Sequence, residues 1–364
     1  MGRLLELTAP RGSLCSTPPR STNKKRGQRV IVTLLGTQLD DGWVVTREVV
    51  RSIKATGGCF SKSYIVTRNG KEAFMKALDY MQALQSVDPA TLLHTLTQEF
   101  LFEKGILREC EARRMRRVVR QIGHGILKLT LGGLPITVQY LILEKADDDL
   151  RHTLDGMTAS VRARALQQVA IGLTQLHRIG VAHQDIKPSN VLLFRGDGAK
   201  VGDLGCAFQK GIARVRDQYR VAGDPRYAPP ELLYGLGSQD YRLRRLGCDA
   251  YHLGSLIFLM WSKLSLTSDI QGRLEPRFRW QKWNGQYVDV LPELQSAFED
   301  ALRSFATLLP PYALELVEFV RELCDPDPMR RKLTQSGSDI PLEVYVSKLD
   351  RVAKVCEWRE RKGP

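Results

Sequence analysis

Several things are missing from this 364-residue chain, and each absence narrows what it can be. None of its seven cysteines (15, 59, 110, 206, 248, 324 and 356) forms a C-x-x-C pair, and their number is odd. Reduced thiols in a cytosol-like compartment are therefore expected, with small buried side chains as the reading for Cys206 and Cys248. No early apolar run resembles a signal peptide, and the longest apolar stretch, 251–261, falls short of the ~20 residues that cross a bilayer. No membrane partner and a cytoplasmic location are expected. The opening M-G-R-L-L-E sets Glu6 where a myristoylation signal carries Ser or Thr, which argues against a lipid anchor. Acid is also in deficit: 40 Asp and Glu stand against 54 Lys and Arg, a formal charge of +14. Part of that excess lies in residues 1–29, rich in Arg, Lys, Ser, Thr and Pro, which read as a disordered basic tail. Another part is R-R-M-R-R at 113–117, read as a solvated helix face. With no zinc spacing and no RNA-binding signature, nucleic acid stays a minor partner reading through these basic clusters.

What is present is ordered along the chain. Residues 43–78 carry β-branched and aromatic segments, and Asn69-Gly70 fits a two-residue hairpin turn because both residues accept positive φ. Centred there, the pairing sets Lys76 opposite Ser63. Asp88-Pro89 supplies an N-cap and a first-turn proline for a helix reaching about Cys110. On it Leu93, Leu96, Phe100 and Leu107 recur at helical spacing, and Glu103 falls inside that stripe. A carboxylate on a buried face needs a cation, and Lys76 on the preceding strand is the natural one. A strand at 138–144 follows, then helical patterns at 161–177, 251–261, 291–308, 312–323 and 341–358, with no internal repeat. The chain thus runs from a strand-rich part, 43–145, to a helical part, 146–350, with 351–364 as the end of the last helix and a tail.

Chemistry gathers around H-Q-D-I-K-P-S-N at 183–190. Asn190 is followed by V-L-L-F, a turn R-G-D-G, and A-K-V-G-D. With the turn at Gly196-Asp197, Asn190 faces Asp203 across the open end of a hairpin, and Asp185 lies just upstream. Hard oxygen atoms of this kind suit Mg²⁺.

These residues carry a resemblance. The chain is similar to eukaryotic-type Ser/Thr protein kinases over about 46–335, in a bacterial-like variant without arginine in the catalytic loop. H-Q-D-I-K-P-S-N resembles the catalytic loop, D-L-G (203–205) the metal-binding triplet with Leu204 for Phe, and A-F-M-K (73–76) the strand with the ATP lysine. F-E-K-G-I-L (102–107) resembles the helix whose glutamate pairs with that lysine. G-D-P-R-Y-A-P-P-E (223–231), C-D-A-Y-H-L-G (248–254) and D-P-M-R-R (327–331) resemble the substrate-facing segment, the central helix and the late arginine, here Arg331, that pairs with Glu231. A lone H-x-D-x-x-x-x-N would say less, because aminoglycoside-type phosphotransferases share it.

The resemblance implies an α+β, bilobal protein-kinase-like fold with a small β-rich N-lobe and a larger helical C-lobe. It implies ATP and Mg²⁺ as cofactors, a protein substrate, and phosphoryl transfer to Ser or Thr, the preference resting on Lys187. Asp185 would orient the substrate hydroxyl and accept its proton, Lys187 neutralise the γ-phosphate, and Asn190 and Asp203 hold the metal. Lys76, fixed by Glu103, would grip the α and β phosphates under a loop containing Gly58 and Phe60. Adenine would dock on the backbone at Leu143, Glu144, Lys145 and Ala146, with Asp149 a candidate for the ribose hydroxyls. His183 is read as a packing and hydrogen-bonding residue.

Beyond Leu204, the chain departs from the family in its phosphate-covering loop, in its catalytic loop and at Asp224, where the family commonly has Thr. T-G-G-C-F-S-K-S-Y (56–64) has Thr56 and Ser61 where the family has glycine. Gln184 replaces an arginine that usually binds a phosphate on the loop 203–231, and that loop holds no Ser or Thr, only Tyr219 and Tyr227. Such a phosphate adds up to about 2 negative charges, which glutamine cannot answer. Activity without loop phosphorylation is therefore expected, with Arg214, Arg216, Asp217 or Arg220 in local ion pairs and Lys187 paired to Asp224. The rival readings are a pseudokinase scaffold and a small-molecule phosphotransferase.

Overall fold

The computed structural model describes residues 34–50, 61–80, 86–131, 134–331 and 342–362. The expected positions Gly58 and Phe60 lie outside them. The chain divides into two compact units, one within 34–114 and 119–146, the other within 115–118 and 147–362.

The first unit is built on an antiparallel sheet. Its strands are β1 (Val44–Val49), β2 (Ser61–Arg68), β3 (Lys71–Leu78), β4 (Gln121–Leu131) and β5 (Leu134–Glu144), in the order β1-β2-β3-β5-β4. The β2–β3 turn is Asn69-Gly70 with φ of 51° and 74°, and it sets Ser63 opposite Lys76 as the sequence requires. Alternate residues of β2 and β3 point into one core, where Tyr64, Val66, Ala73 and Met75 meet Trp43, Tyr140 and Ile142. Among the described residues, the long helix of this unit is α1 (Pro89–Ala112), capped by Asp88, whose side chain accepts from the Thr91 N–H at 3.1 Å. Leu96, Phe100, Glu103, Ile106 and Leu107 form its buried stripe, so a carboxylate is indeed carried on an apolar face.

The second unit is mainly helical: α2 (Ala159–His177), α3 (Gly247–Ser262), α4 (Tyr287–Ala306), α5 (Glu315–Cys324) and α6 (Glu343–Lys362). Every residue of α3 from Gly247 to Met260 is buried, which explains a helix apolar on nearly every side. α6 is tied to α2 at three points: Arg164 pairs with Asp350 at 2.6 Å and with Glu357 at 2.7 Å, and Glu360 accepts from the Ser160 N–H at 2.8 Å. Two antiparallel strand pairings frame the loop at 183–190, the second lying in a three-stranded sheet whose outer strand is Asp148–Asp149. β6 (Val181–Ala182) pairs with β9 (Phe208–Gln209), and β7 (Val191–Phe194) pairs with β8 (Gly198–Val201).

The β7–β8 register corrects the sequence expectation by one residue. Val191 pairs with Val201 and the Gly202 N–H donates to the Asn190 carbonyl at 2.9 Å, so Asn190 faces Gly202, with Asp203 the next residue. The turn spans 195–197 rather than two residues, with Gly196 and Gly198 both at positive φ, and the extra residue shifts the pairing sum.

Candidate active site

In the strand-rich unit, β3 and α1 bring Lys76 and Glu103 together. The ammonium donates to both carboxylate oxygens, at 2.9 and 2.8 Å, with the side chains 12% and 5% exposed. Separating two such charges in a poorly hydrated place costs about 3–5 kcal/mol when one partner is removed, so each fixes the other. At the end of β5, the Glu144 N–H donates to the Arg120 carbonyl at 3.0 Å and its carboxylate accepts from the Arg120 N–H at 2.8 Å. Lys145 pairs with Glu72 at 3.4 Å, and Ala146 follows as the last residue of the unit.

In the helical unit the loop is organised around a buried carboxylate. Asp249, in the first turn of α3, accepts from the main-chain N–H groups of His183 and Gln184, each at 2.7 Å, and meets His177 Nε2 at 2.8 Å. Burial works to raise its pKa, but the bond from His177 and the surrounding donors outweigh it, and the pKa is held below the ordinary carboxylate value. His183 donates from Nε2 to the Gly202 carbonyl at 2.9 Å, while its Nδ1 accepts from the Asp185 N–H at 3.3 Å. Both ring nitrogens are thus spent on backbone, in keeping with a packing residue.

Asp185 stands in the middle. One oxygen accepts from the Asp224 N–H at 2.9 Å; the other accepts from Lys187 Nζ at 2.7 Å and Asn190 Nδ2 at 3.2 Å. Burial raises its pKa above the ordinary carboxylate value, with Lys187 pulling the other way. For Lys187 burial favours the neutral amine, yet Asp185, Asp224 and Asp203 together leave its pKa raised, so the ammonium persists. Asn190 Nδ2 also donates to the Asp185 carbonyl at 2.8 Å, which fixes the amide and turns its oxygen toward Ser189. Asp203 follows Gly202 in the left-handed region at φ 60°.

Further along the same unit, Glu231 and Arg331 form a bidentate pair at 2.7 and 2.8 Å although 100 residues separate them. A family model described as "Protein kinase domain" matches residues 60–338. The chain belongs to the protein kinase family. A serine/threonine-protein kinase named CHK1 from Saccharomyces cerevisiae is 34% identical over 128 residues, covering 33% of this chain and 24% of that one. Cyclin-dependent kinase 9 from Bos taurus is 27% identical over 215 residues, 53% of this chain and 55% of its own. A Wee1-like protein kinase from Oryza sativa subsp. japonica is 30% identical over 168 residues, 46% of this chain and 25% of its own. The chain therefore spans between a quarter and just over half of the length of these relatives.

Within this α+β protein kinase fold, one expected pair is made differently from what the sequence suggested. Lys187 gives its hydrogen bond to Asp185, and Asp224 is gripped by Arg226 at 2.7 and 3.1 Å, which corrects the expected Lys187–Asp224 pair. The reason is local: Arg226, two residues on, closes a small ring with Asp224 and reaches it first. Asp149 caps the short helix Leu150–Thr153 and pairs with Arg151 at 2.6 Å. Leu204, in place of Phe, is fully buried. Burial pushes the Cys206 thiol up to about 12, which favours the protonated thiol at neutral pH.

Two contributors were not legible beforehand. His177 is signalled only by lying at the end of the helix before the loop, beneath a carboxylate that needs a donor. Gly223 sits where a Cβ would come within 2.6 Å of the Gln184 carbonyl oxygen, beside the Asp185 side chain. Only glycine allows the segment that begins at Gly223 to approach the loop this closely.

Proposed function

We propose that the chain is an ATP-dependent protein serine/threonine kinase that works without phosphorylation of the loop 203–231. The observation that carries this reading is the buried cluster of Asp185, Lys187 and Asn190 under the Asp224 N–H. The serine or threonine oxygen attacks the γ-phosphorus, the bond from phosphorus to the β-phosphate oxygen breaks, ADP leaves, and the hydroxyl proton passes to the Asp185 carboxylate. Burial makes that carboxylate a stronger base than an exposed one. Lys187, protonated, balances negative charge on the transferring group. Lys187 also supports Ser and Thr over Tyr as acceptors.

Mg²⁺ fits the oxygen atoms that Asn190 and Asp203 offer, since the amide is fixed through its nitrogen and a carboxylate stands one residue beyond its strand partner. When bound, it would neutralise phosphate oxygens. In the other unit Lys76, steadied by Glu103, would hold the α and β phosphates, and the backbone from Leu143 to Ala146 would take the adenine. We read residues 43–145 and 146–350 as the two lobes. The absence of Ser and Thr from 203–231 supports activity that needs no loop phosphate.

Radiolabel transfer from γ-labelled ATP to casein tests the proposal. Wild type should yield labelled phosphoserine or phosphothreonine, Asp185→Asn should lose about 10²–10⁴ of the rate, and phosphatase treatment beforehand should change nothing. Binding of ATP with no transfer would instead make the chain a pseudokinase scaffold.

A further inference from the structure

Gln184 occupies the position just before Asp185, in the left-handed region at φ 66°, a conformation that is strained for a residue with a side chain. Its backbone is held there by Asp249; its side chain faces a cation from elsewhere in the chain. Arg245 lies on the five-residue π-helical turn Arg242–Leu246 that leads into α3, and it is 6% exposed. Its Nη1 donates to Gln184 Oε1 at 3.3 Å, and Gln184 Nε2 returns a bond to the Arg245 carbonyl at 2.9 Å.

The far side of the same guanidinium reaches the substrate-facing loop. Nη2 donates to the Asp217 carbonyl at 3.2 Å, with the Asp217 carboxylate at 3.8 Å, and the plane lies 4.3 Å over the ring of Phe208. Phe208 is on β9, paired to the strand that runs into His183. Arg244 adds bonds to the carbonyls of Asp217 and Tyr219 at 3.1 and 3.4 Å, and Asp217 Oδ2 accepts from the Arg214 N–H at 2.9 Å. One buried cation therefore touches the residue beside the catalytic base, the strand after D-L-G and the middle of the loop.

The arrangement also accounts for the glutamine. Arginine at 184 would set a second guanidinium about as close to Arg245 as the amide now stands, two like charges with little water between them. Glutamine is neutral and offers the acceptor that Arg245 Nη1 needs and the donor that its carbonyl needs. Burial, followed by the charge of Arg244, lowers the Arg245 pKa to about 10, which still leaves it protonated at neutral pH.

We infer that Arg245 is a positioning residue for phosphoryl transfer: it locks the loop to the Asp185 segment through Gln184 and Asp217, so that order usually supplied by an added phosphate is built into the chain. This rests on the kinase reading proposed above. The test is a charge swap. Arg245→Gln and Gln184→Arg should each lower kcat about tenfold or more, with KM for ATP within about twofold, and the double variant should return to within about threefold of wild type, a coupling that only residues in contact show. Trypsin cleavage after Arg214, Arg216 or Arg220 should speed up in both single variants and slow again in the double, a readout that needs no catalysis. Should Arg245→Gln fail to fold, Asp217→Ala, which removes the carboxylate that faces Arg245 and accepts from the Arg214 N–H, should still expose the loop to trypsin. Strictly additive effects in the double variant, or single variants with wild-type kcat and wild-type protection, would overturn the inference. If wild type transfers no phosphate while the trypsin pattern follows the swap, the lock stands and the function proposal falls.

Discussion

Asp249 and Asp185 are both fully buried carboxylates of the helical unit, and their acidities move in opposite directions. Asp249 is met by two main-chain N–H groups at 2.7 Å and an imidazole, with the Gln184 side-chain amide farther off at 3.3 Å, and its pKa is held down. Asp185 receives one main-chain N–H, and its other oxygen depends on an ammonium and an amide at the ends of side chains. The difference separates scaffold from chemistry. An acid surrounded by rigid dipoles is locked in one protonation state, whereas an acid whose burial outweighs its partners can take a proton and give it up.

Changing both residues in the same way should break the symmetry of sequence and reveal the asymmetry of role. Asp249→Asn leaves the N–H groups of His183 and Gln184 facing an amide that can satisfy only one of them well, with His177 left opposite. A loss of about 3–5 kcal/mol in urea unfolding is expected, the range for breaking a buried charged network. Asp185→Asn removes a carboxylate that burial already disfavours and leaves Asp224 and Asp203 near the Lys187 ammonium, so it should cost clearly less stability than Asp249→Asn while transfer collapses. Equal destabilisation by the two substitutions would mean that Asp185 is also scaffold.

Gly223→Ala sharpens the comparison from the other side, because it alters neither carboxylate. A methyl group there meets the Gln184 carbonyl oxygen and the Asp185 side chain, so the segment carrying the Asp224 N–H must withdraw. Losing one aligned donor to Asp185 should lower kcat about tenfold to a hundredfold, with a stability loss of about 1–3 kcal/mol from the clash with the Gln184 backbone. A variant with unchanged kcat would show that the Asp224 N–H does not position Asp185.

How far the sequence disclosed this site depends on how each contact is made. Lys76–Glu103 was legible because a hairpin with an unambiguous turn fixes the strand register and a helical stripe contains one misplaced charge. Glu231–Arg331 was legible only through the family resemblance, since nothing local links residues so far apart. The Asn190–Asp203 geometry was read one residue out of register, because a turn with two glycines admits both two- and three-residue forms. Arg245 could not be read at all: its role is to replace a charge missing 61 positions earlier, and no spacing rule connects a helix-leading turn to a loop glutamine. Short-range chemistry leaves a pattern in sequence; long-range compensation leaves one only in space.

The smallest expected effect concerns pH. In the proposed mechanism transfer needs Asp185 ionised, and burial holds its pKa above the ordinary 3.8, so kcat at saturating ATP should fall on acidification at a pH higher than an exposed carboxylate would give. The fold responds to other groups. His252, kept neutral by burial with a pKa of about 4, binds a proton more readily unfolded than folded, so stability declines as pH drops from about 6.5 toward that value. Asp249 acts in the opposite window: its folded pKa is depressed, so its contribution is fully present above the unfolded carboxylate value and is lost only as pH falls through the folded one. Rates corrected for the folded fraction, measured by fluorescence at each pH, should therefore still show an acid limb while Asp249 remains charged. If the corrected rate were flat until the protein unfolds, the raised acidity constant of Asp185 would have no part in catalysis, and the contrast between the two aspartates would be one of position alone.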